Sequence, residues 1–322
     1  MKKVSFKIVV TDYEFEKLDF EETVFEESGL DIEFIKVNCK TEDEVIEAAK
    51  DADALLNQYA PISRRVIESL TNCKVISRYG VGVDTIDITA AKEKNITVCN
   101  VPDYGIEEVS NHTLALLMSW SRKIVELNNA VKSGTWDFSI GSPIYRFENR
   151  VFAILGFGKI PRRVIEKVAP LGFKLVGYDP FVSKEEMAKY GVEKVELSEA
   201  LALADILSIH VPLVESTHHL INTNSLATLK DGVFIINTAR GPIVETNAII
   251  EGLKSGKIAG AALDVVEEEP LSLGHELLSF DNVYITPHSA FYSQEAVKEL
   301  RSKAAKNIVD KLAGIAPPYV IV

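Results

Sequence analysis

Cysteine is scarce. The 322 residues hold three, Cys39, Cys73 and Cys99, and no two form a C-x-x-C pair. An odd, widely spaced set builds neither a disulfide framework nor a thiolate metal site. It reads as reduced, buried thiols of a cytosolic protein, with no metal expected. No apolar run approaches the ~18 residues of a membrane span. Met1-Lys2-Lys3 leads directly into a strand pattern, so no signal peptide is expected. No basic run of five or more residues exists, and the net charge is −12. That balance argues against direct binding of nucleic acid or an anionic membrane. The acidic residues gather between Glu14 and Glu27 and are expected on a solvated helix face. Low-complexity segments and internal repeats are also missing. What is present is ordinary globular composition, 47% hydrophobic and 25% charged, in a chain long enough for two domains.

The most informative stretch is Val151 to Pro161, VFAILGFGKIP. An apolar run enters Gly156-Phe157-Gly158, and a helical pattern follows from about Ile160. A buried parallel strand turning tightly into a helix has this form. Gly156 permits the turn, and Gly158 lets the backbone approach a pyrophosphate. The free N–H groups at the helix start then face the anion. An acidic residue is expected roughly 20 residues later to hold the ribose. Asp179 ends the strand pattern KLVGYD in that position. Asp179-Pro180 without a nearby arginine favours NAD over NADP. The third glycine of G-x-G-x-x-G is replaced by Pro161. Proline is tolerated in a first helical turn, but its ring needs room, so weaker cofactor binding is an expectation.

Along the chain, strands are expected at 4–10, 32–37, 54–56, 75–79 and 96–99. Helices are expected at 14–28, from Thr41 to near Lys50, from Ser63, and over 87–94. Thr41 and Glu44 form a capping box. This alternation predicts a parallel sheet with helices on its faces. Val101-Pro102 ends it, which sets a first domain at 1–101. One long helix is expected over 105–132 and suggests a dimer contact. Strands at 151–155, 174–179, 205–210, 233–237, 259–263 and 283–285 then suit a doubly wound dinucleotide-binding domain, 102–290. An amphipathic helix from Ser293 to Leu312 is expected to return to the first domain, so that 291–322 completes it.

Three chemistry-bearing residues follow successive strands of the second domain: Arg240 in IINTARG, Glu269 in DVVEEEP and His288 in TPHSA. In such sheets ligands sit at the carboxyl ends of strands. Arg240 suits a substrate carboxylate or carbonyl. His288 suits proton transfer to or from the reacting oxygen, with Glu269 holding the imidazole and favouring its charged form. Singly, each residue has an ordinary alternative: a surface ion pair, a solvated carboxylate, a structural histidine.

The segments VFAILGFGKI, KLVGYDP, HVPL, INTARGPIV, AALDVVEEEP and ITPHSAFYS, with RYGVGVDTIDI, NVPDYGIEEVSNHTLALLM and WDFSIGSPIYRF, cover nearly the whole chain in order. They resemble the D-isomer-specific 2-hydroxyacid dehydrogenases. HHLIN, DVVEEEP and TPHSAFYS look closest to the branch that includes the C-terminal-binding-protein corepressors. The resemblance implies a Rossmann NAD-binding domain plus a flavodoxin-like substrate-binding domain that close over a cleft, and a homodimer joined through the cofactor domain. It implies hydride transfer between NAD(H) and a small 2-keto or 2-hydroxy acid, with Arg240, Glu269 and His288 as the catalytic set. Backbone N–H groups of Val81 and Gly82 would take the substrate carboxylate. Thr113, Thr238 and Asp264 would stand at the nicotinamide half, Lys159 and Ile160 at the pyrophosphate, and Asp179 at the ribose. His210, Val211 and Thr217 would form the adenosine-side wall. The substrate side chain is expected to be read by residues of the amino-terminal loops near Tyr59, Tyr79 and Tyr104, and by Phe291, which suggests an apolar or aromatic-lined pocket. Phe291 stands where the corepressor branch has tryptophan. The chain ends soon after His288, so the regulatory domain of the longer phosphoglycerate dehydrogenases is not expected. Two alternatives stay open. One is an NAD(H)-responsive protein-binding module. The other is a phosphoglycerate-type dehydrogenase, for which Arg64, Arg65, Arg78 and Arg146 would supply a basic pocket.

Overall fold

The structure, a computed structural model, describes residues 5–322. Val4 of the first expected strand lies outside them. The chain forms two compact units, one reaching to Gly105 and taking in Ser293–Val322, the other Ile106–Tyr292.

The first unit holds β1 (Ser5–Val10), β2 (Asp31–Lys36), β3 (Ala54–Asn57), β4 (Val75–Arg78) and β5 (Thr97–Cys99). All pairings are parallel, in the order β2-β1-β3-β4-β5, which is the flavodoxin-like order. β3 and β4 are buried at every position, as internal parallel strands covered on both faces must be. Helices Glu42–Ala49, Arg64–Ser69 and Ile88–Glu93 bury Val45, Val66, Ile67 and Ala91 in the core cluster of one face. Helices Asp19–Glu27 and Gln294–Leu312 contribute Phe25, Leu300, Ala304 and Ile308 to the other. Thr41 and Glu44 make a reciprocal capping box, and Ser63, Asp87 and Ser293 cap their helices. The tail pairs with β5: Val98 N–H donates to Val322 O at 3.0 Å, and Ile321 N–H to Val98 O at 2.8 Å.

One expectation fails here for a clear reason. The acidic helix begins at Asp19, not near Glu14, and it is not wholly solvated. Glu21 is fully buried and accepts Arg301 Nε at 2.9 Å, Arg301 Nη2 at 2.6 Å and Tyr79 Oη at 2.9 Å. A buried carboxylate needs such partners, and its arginine comes from 280 residues away, where local pattern cannot see it.

The second unit holds β6 (Val151–Leu155), β7 (Lys174–Tyr178), β8 (Glu193–Lys194), β9 (Ile206–Ile209), β10 (Val233–Asn237), β11 (Ile258–Leu263) and β12 (Val283–Ile285). They form a parallel sheet in the order β12-β11-β10-β9-β6-β7-β8. After β6 the chain builds outward on one side, then crosses to β9 and builds the other. That reversal between β6 and β9 is the switch point at which doubly wound sheets bind ligands. Apolar clusters cover both faces. The two-residue β8 is too short to leave a sequence pattern. The single helix expected over 105–132 is two, Ile106–Ser121 and Ile124–Lys132. Lys123 breaks it with φ 55°, and its ammonium lies 4.2 Å from the centre of the Trp120 ring. A left-handed residue cannot continue a helix.

Candidate active site

In the second unit, Gly156, Asp179, His210, Thr238 and Asp264, all expected at the cofactor, fall at carboxyl ends of adjacent strands, while Thr113 lies on the helix Ile106–Ser121 and Thr217 in the loop after β9. Gly156 follows β6 with φ 89°, and a Cβ on it would stand 2.8 Å from His210 O, in the turn after β9. Only glycine satisfies both the dihedral and the approach. Gly158 caps the helix Lys159–Val168, and a Cβ there would meet nothing within 4 Å. Open space before the free N–H groups of Lys159 and Ile160 is where an anion fits. Pro161 is the third residue of that helix and is buried. The first helical bond is Arg162 N–H to Gly158 O, so proline removes no bond. Its ring has found the room that the sequence put in question.

Asp179 ends β7. Its Oδ2 accepts Phe157 N–H at 2.8 Å and its Oδ1 accepts Phe181 N–H at 2.8 Å. The carboxylate therefore fastens the glycine loop and keeps lone pairs for a diol. His210 follows β9, with Nε2 at 2.8 Å from Ser208 Oγ. Burial pushes its imidazole down to about 3, so it stays neutral. Val211 is buried beside it. Thr217 Oγ1 donates to Pro212 O at 2.6 Å and accepts Val214 N–H at 2.9 Å, closing that loop. Thr113 and Thr238 are both buried, with hydroxyls 3.1 Å apart.

The three catalytic candidates follow β10, β11 and β12, neighbours in the sheet. Glu269 and His288 meet: Nδ1 lies 2.8 Å from Oε2. Glu269 Oε1 accepts Val266 N–H at 3.1 Å, which holds the carboxylate toward the ring. Arg240 Nη1 donates to Ala239 O at 2.7 Å. The backbone of Arg240 is pinned by Asn237, whose Nδ2 donates to Arg240 O at 2.9 Å and whose Oδ1 accepts Ala239 N–H at 3.0 Å. Asp264 is 2% exposed, and its carboxylate is engaged by Thr286 Oγ1 at 2.5 Å, Ser289 N–H at 2.9 Å and Ala290 N–H at 2.9 Å. It thus braces the turn that carries His288. The roles of Asn237, Val266 and Thr286 are not legible in the sequence alone. Asn237 and Thr286 lay in the quoted segments INTARG and ITPHS, where an Asx turn and a β-turn hydroxyl are the available signals.

In the first unit, Val81 and Gly82 follow β4 in an exposed turn, and Asn100 Nδ2 donates to Val81 O at 2.7 Å. Tyr79 is 2% exposed and its hydroxyl goes to Glu21. Tyr79 itself therefore belongs to the core of the unit. Tyr104 packs partly buried on the same core, while Tyr59 is 37% exposed, its ring 5.7 Å from the Arg78 guanidinium. Arg64 and Arg65 pair with Glu93 and Asp43 at the helix surface, and Arg146 is exposed. Among the described residues no group of three or more His, Cys, Asp or Glu could hold a metal, and no helix is long and apolar enough to cross a membrane.

A doubly wound sheet with this glycine loop, its acidic partner and the carboxylate–histidine pair defines a two-unit, dinucleotide-binding protein of the dehydrogenase kind. Residues 114–290 match the D-isomer specific 2-hydroxyacid dehydrogenase, NAD binding domain. The chain is 36% identical over 288 residues to a glyoxylate reductase from Thermofilum pendens, covering 87% of this chain and 84% of that one. It is 35% identical over 288 residues to a D-3-phosphoglycerate dehydrogenase from Archaeoglobus fulgidus, covering 89% of this chain but spanning only 54% of that protein's length. A crystal structure of D-lactate dehydrogenase from Aquifex aeolicus, complexed with NAD and lactic acid, superposes with a TM-score of 0.87 at 27% identity, over 98% of this chain and 99% of that one. The protein belongs to the D-isomer-specific 2-hydroxyacid dehydrogenase family, and the residues matched to its NAD-binding domain fall within the second unit.

Proposed function

We propose that the protein interconverts a small 2-keto acid and its D-2-hydroxy acid with NAD(H). The observation that carries this reading is the 2.8 Å pair of His288 Nδ1 and Glu269 Oε2 beyond the sheet edge that ends in the glycine loop. The carboxylate only accepts, so Nδ1 keeps its proton in both states of the ring. Exchange is left to Nε2, which gives its proton to the carbonyl oxygen in reduction and takes it back in oxidation. When bound at the Gly156–Ile160 turn, the nicotinamide cofactor supplies or accepts the hydride at C2. Arg240 binds the substrate carboxylate or carbonyl through its planar fork, and the N–H groups of Val81 and Gly82 hold the carboxylate. Thr113, Thr238 and Asp264 serve the nicotinamide half, and Lys159, Ile160, Asp179, His210, Val211 and Thr217 the rest of the cofactor. We further assign substrate binding to the first unit, cofactor binding to the second, and a homodimer to the latter. The three unpaired cysteines suit a reducing cytosol.

The test is NADH and NADPH oxidation by the purified protein with glyoxylate, hydroxypyruvate, pyruvate, branched and aromatic 2-keto acids and 3-phosphohydroxypyruvate. Turnover on one class with NADH is expected, and His288→Ala should lower kcat at least ~100-fold while NADH still binds. Unchanged turnover in that variant would remove the mechanism. Flat wild-type traces with NADH bound would favour the binding module. Turnover confined to 3-phosphohydroxypyruvate would make the protein a phosphoglycerate-type enzyme.

A further inference from the structure

His112 stands on the helix Ile106–Ser121, one residue before Thr113, and the reaction as read above does not use it. Its Nε2 lies 3.0 Å from Thr286 Oγ1 and 3.6 Å from Asp264 Oδ1. Thr286 Oγ1 is itself 2.5 Å from Asp264 Oδ1. The Asp264 carboxylate already accepts the N–H groups of Ser289 and Ala290, so it offers lone pairs only. The single hydroxyl proton of Thr286 therefore goes to Asp264. The hydroxyl is left facing His112 with lone pairs, and Nε2 must be the ring nitrogen that carries hydrogen. The chain of donors runs in one direction, from imidazole N–H to hydroxyl to carboxylate.

That chain ends on the turn that presents His288. Ser289 and Ala290 follow His288 directly, and His288 N–H donates to Asp264 O at 2.8 Å. His288 itself has φ 49°, a left-handed conformation that a side-chain-bearing residue keeps only where its surroundings over-determine it. One turn of the helix thus touches two parts of the site. Thr113 bonds Thr238 on the wall assigned to the nicotinamide half, and His112 bonds Thr286 at the root of the acid/base turn.

We propose that His112 is a positioning residue for His288, setting the acid/base turn in register with the cofactor wall through Thr286 and Asp264. The proposal rests on His288 being the acid/base group. A displacement of about 1 Å at a reacting group can cost on the order of 100-fold in rate, so the effect belongs in kcat rather than in binding.

Three variants and one spectrum decide it. With NADH and hydroxypyruvate, His112→Ala and Thr286→Val are expected to lower kcat about tenfold or more, leaving the Kd for NADH and the melting temperature near wild type. His112→Gln, whose amide N–H can still reach Thr286, should recover most of the loss. Nitrogen-15 NMR of histidine-labelled free protein should show His112 as the Nε2–H tautomer, a readout independent of turnover, and Thr286→Val should abolish that preference. An Nδ1–H tautomer overturns the proposal. So does an unchanged kcat in His112→Ala when His288→Ala is inactive, or a loss of rate matched by equal losses in NADH binding and melting temperature. Full turnover in His288→Ala is a different failure: it removes the acid/base assignment itself.

Discussion

Gly241 follows Arg240, and a Cβ on it would lie 1.9 Å from Val266 O, on backbone leading to Glu269. Arg240, proposed to bind substrate, and the Glu269 carboxylate beside His288 are thus seated on two segments in direct backbone contact. Gly241→Ala must push them apart, and kcat/KM is expected to fall at least ~10-fold, with folding checked by circular dichroism; an unchanged kcat/KM would show that the contact yields without cost. His210 makes a prediction of the opposite kind, on stability. Its imidazole is held down to about 3 by burial, whereas an unfolded histidine titrates near 6.5. Below pH 6.5 the unfolded chain takes up a proton that the native state refuses. The stabilisation is therefore complete above pH 6.5 and declines as the pH falls toward 3. Urea midpoints at pH 8, 7, 6 and 5 should fall for the wild type and fall less for His210→Asn; equal slopes would refute the assignment. Residue roles divided sharply in legibility. Gly156, Asp179 and His288 are named by position relative to a strand end, which the sequence displays. Tyr79 and Asp264 also follow strands directly, but a hydroxyl bound to Glu21 and a carboxylate bound to Thr286 depend on neighbours that only the fold supplies.

At the scale of elements, the helix Gln294–Leu312 is fixed to the first unit by one ion pair of unusual depth. Arg301 is 4% exposed and Glu21 0%, and the guanidinium also lies 4.8 Å from the Phe15 ring centre and 4.6 Å from that of Phe20. Removing Arg301 leaves the buried Glu21 carboxylate uncompensated, and removing Glu21 leaves the buried guanidinium with the exposed Asp19 carboxylate at 3.2 Å; each loss costs about 3–5 kcal/mol, while replacing both by apolar groups costs far less. Glu21→Met and Arg301→Met should each lower the urea stability of the protein by roughly that amount, and the double variant should be more stable than either single one. Additive losses would mean that the pair contributes packing alone. Helix ends were readable because caps are local: Thr41 with Glu44, Ser63, Asp87 and Ser293 all serve as the pattern suggests. The interruption at Lys123 was not, since nothing in that residue type requires φ 55°. Apolar spacing through Ile124 reads as one continuous face, yet the second helix buries no residue.

At the scale of the whole molecule, strand–helix alternation made two parallel sheets legible, because parallel strands need crossovers and the crossovers have a length. Strand order and the commitment of each edge are set by long-range packing and were legible only through resemblance. The unburied helix bears on assembly. Ile124 is 55% exposed, Val125 41% and Val131 47%, and the segment after it exposes Trp136 at 89% and Phe138 at 91%. Monomeric proteins seldom present so many large apolar side chains along one stretch, and exposed apolar surface concentrated in this way points to association. A second copy of the chain is the occupant consistent with the proposed homodimer, since a two-fold interface needs only a self-complementary patch. Val131 stands on the helix and Trp136 beyond it, so Val131→Glu with Trp136→Ser places a charge in the patch and removes its largest ring. Sedimentation at micromolar protein should show the wild type as a dimer and the double variant as a monomer with its circular dichroism intact. A wild type that sediments as a monomer at every concentration would refute the dimer, and a double variant that stays dimeric would move the interface to another face.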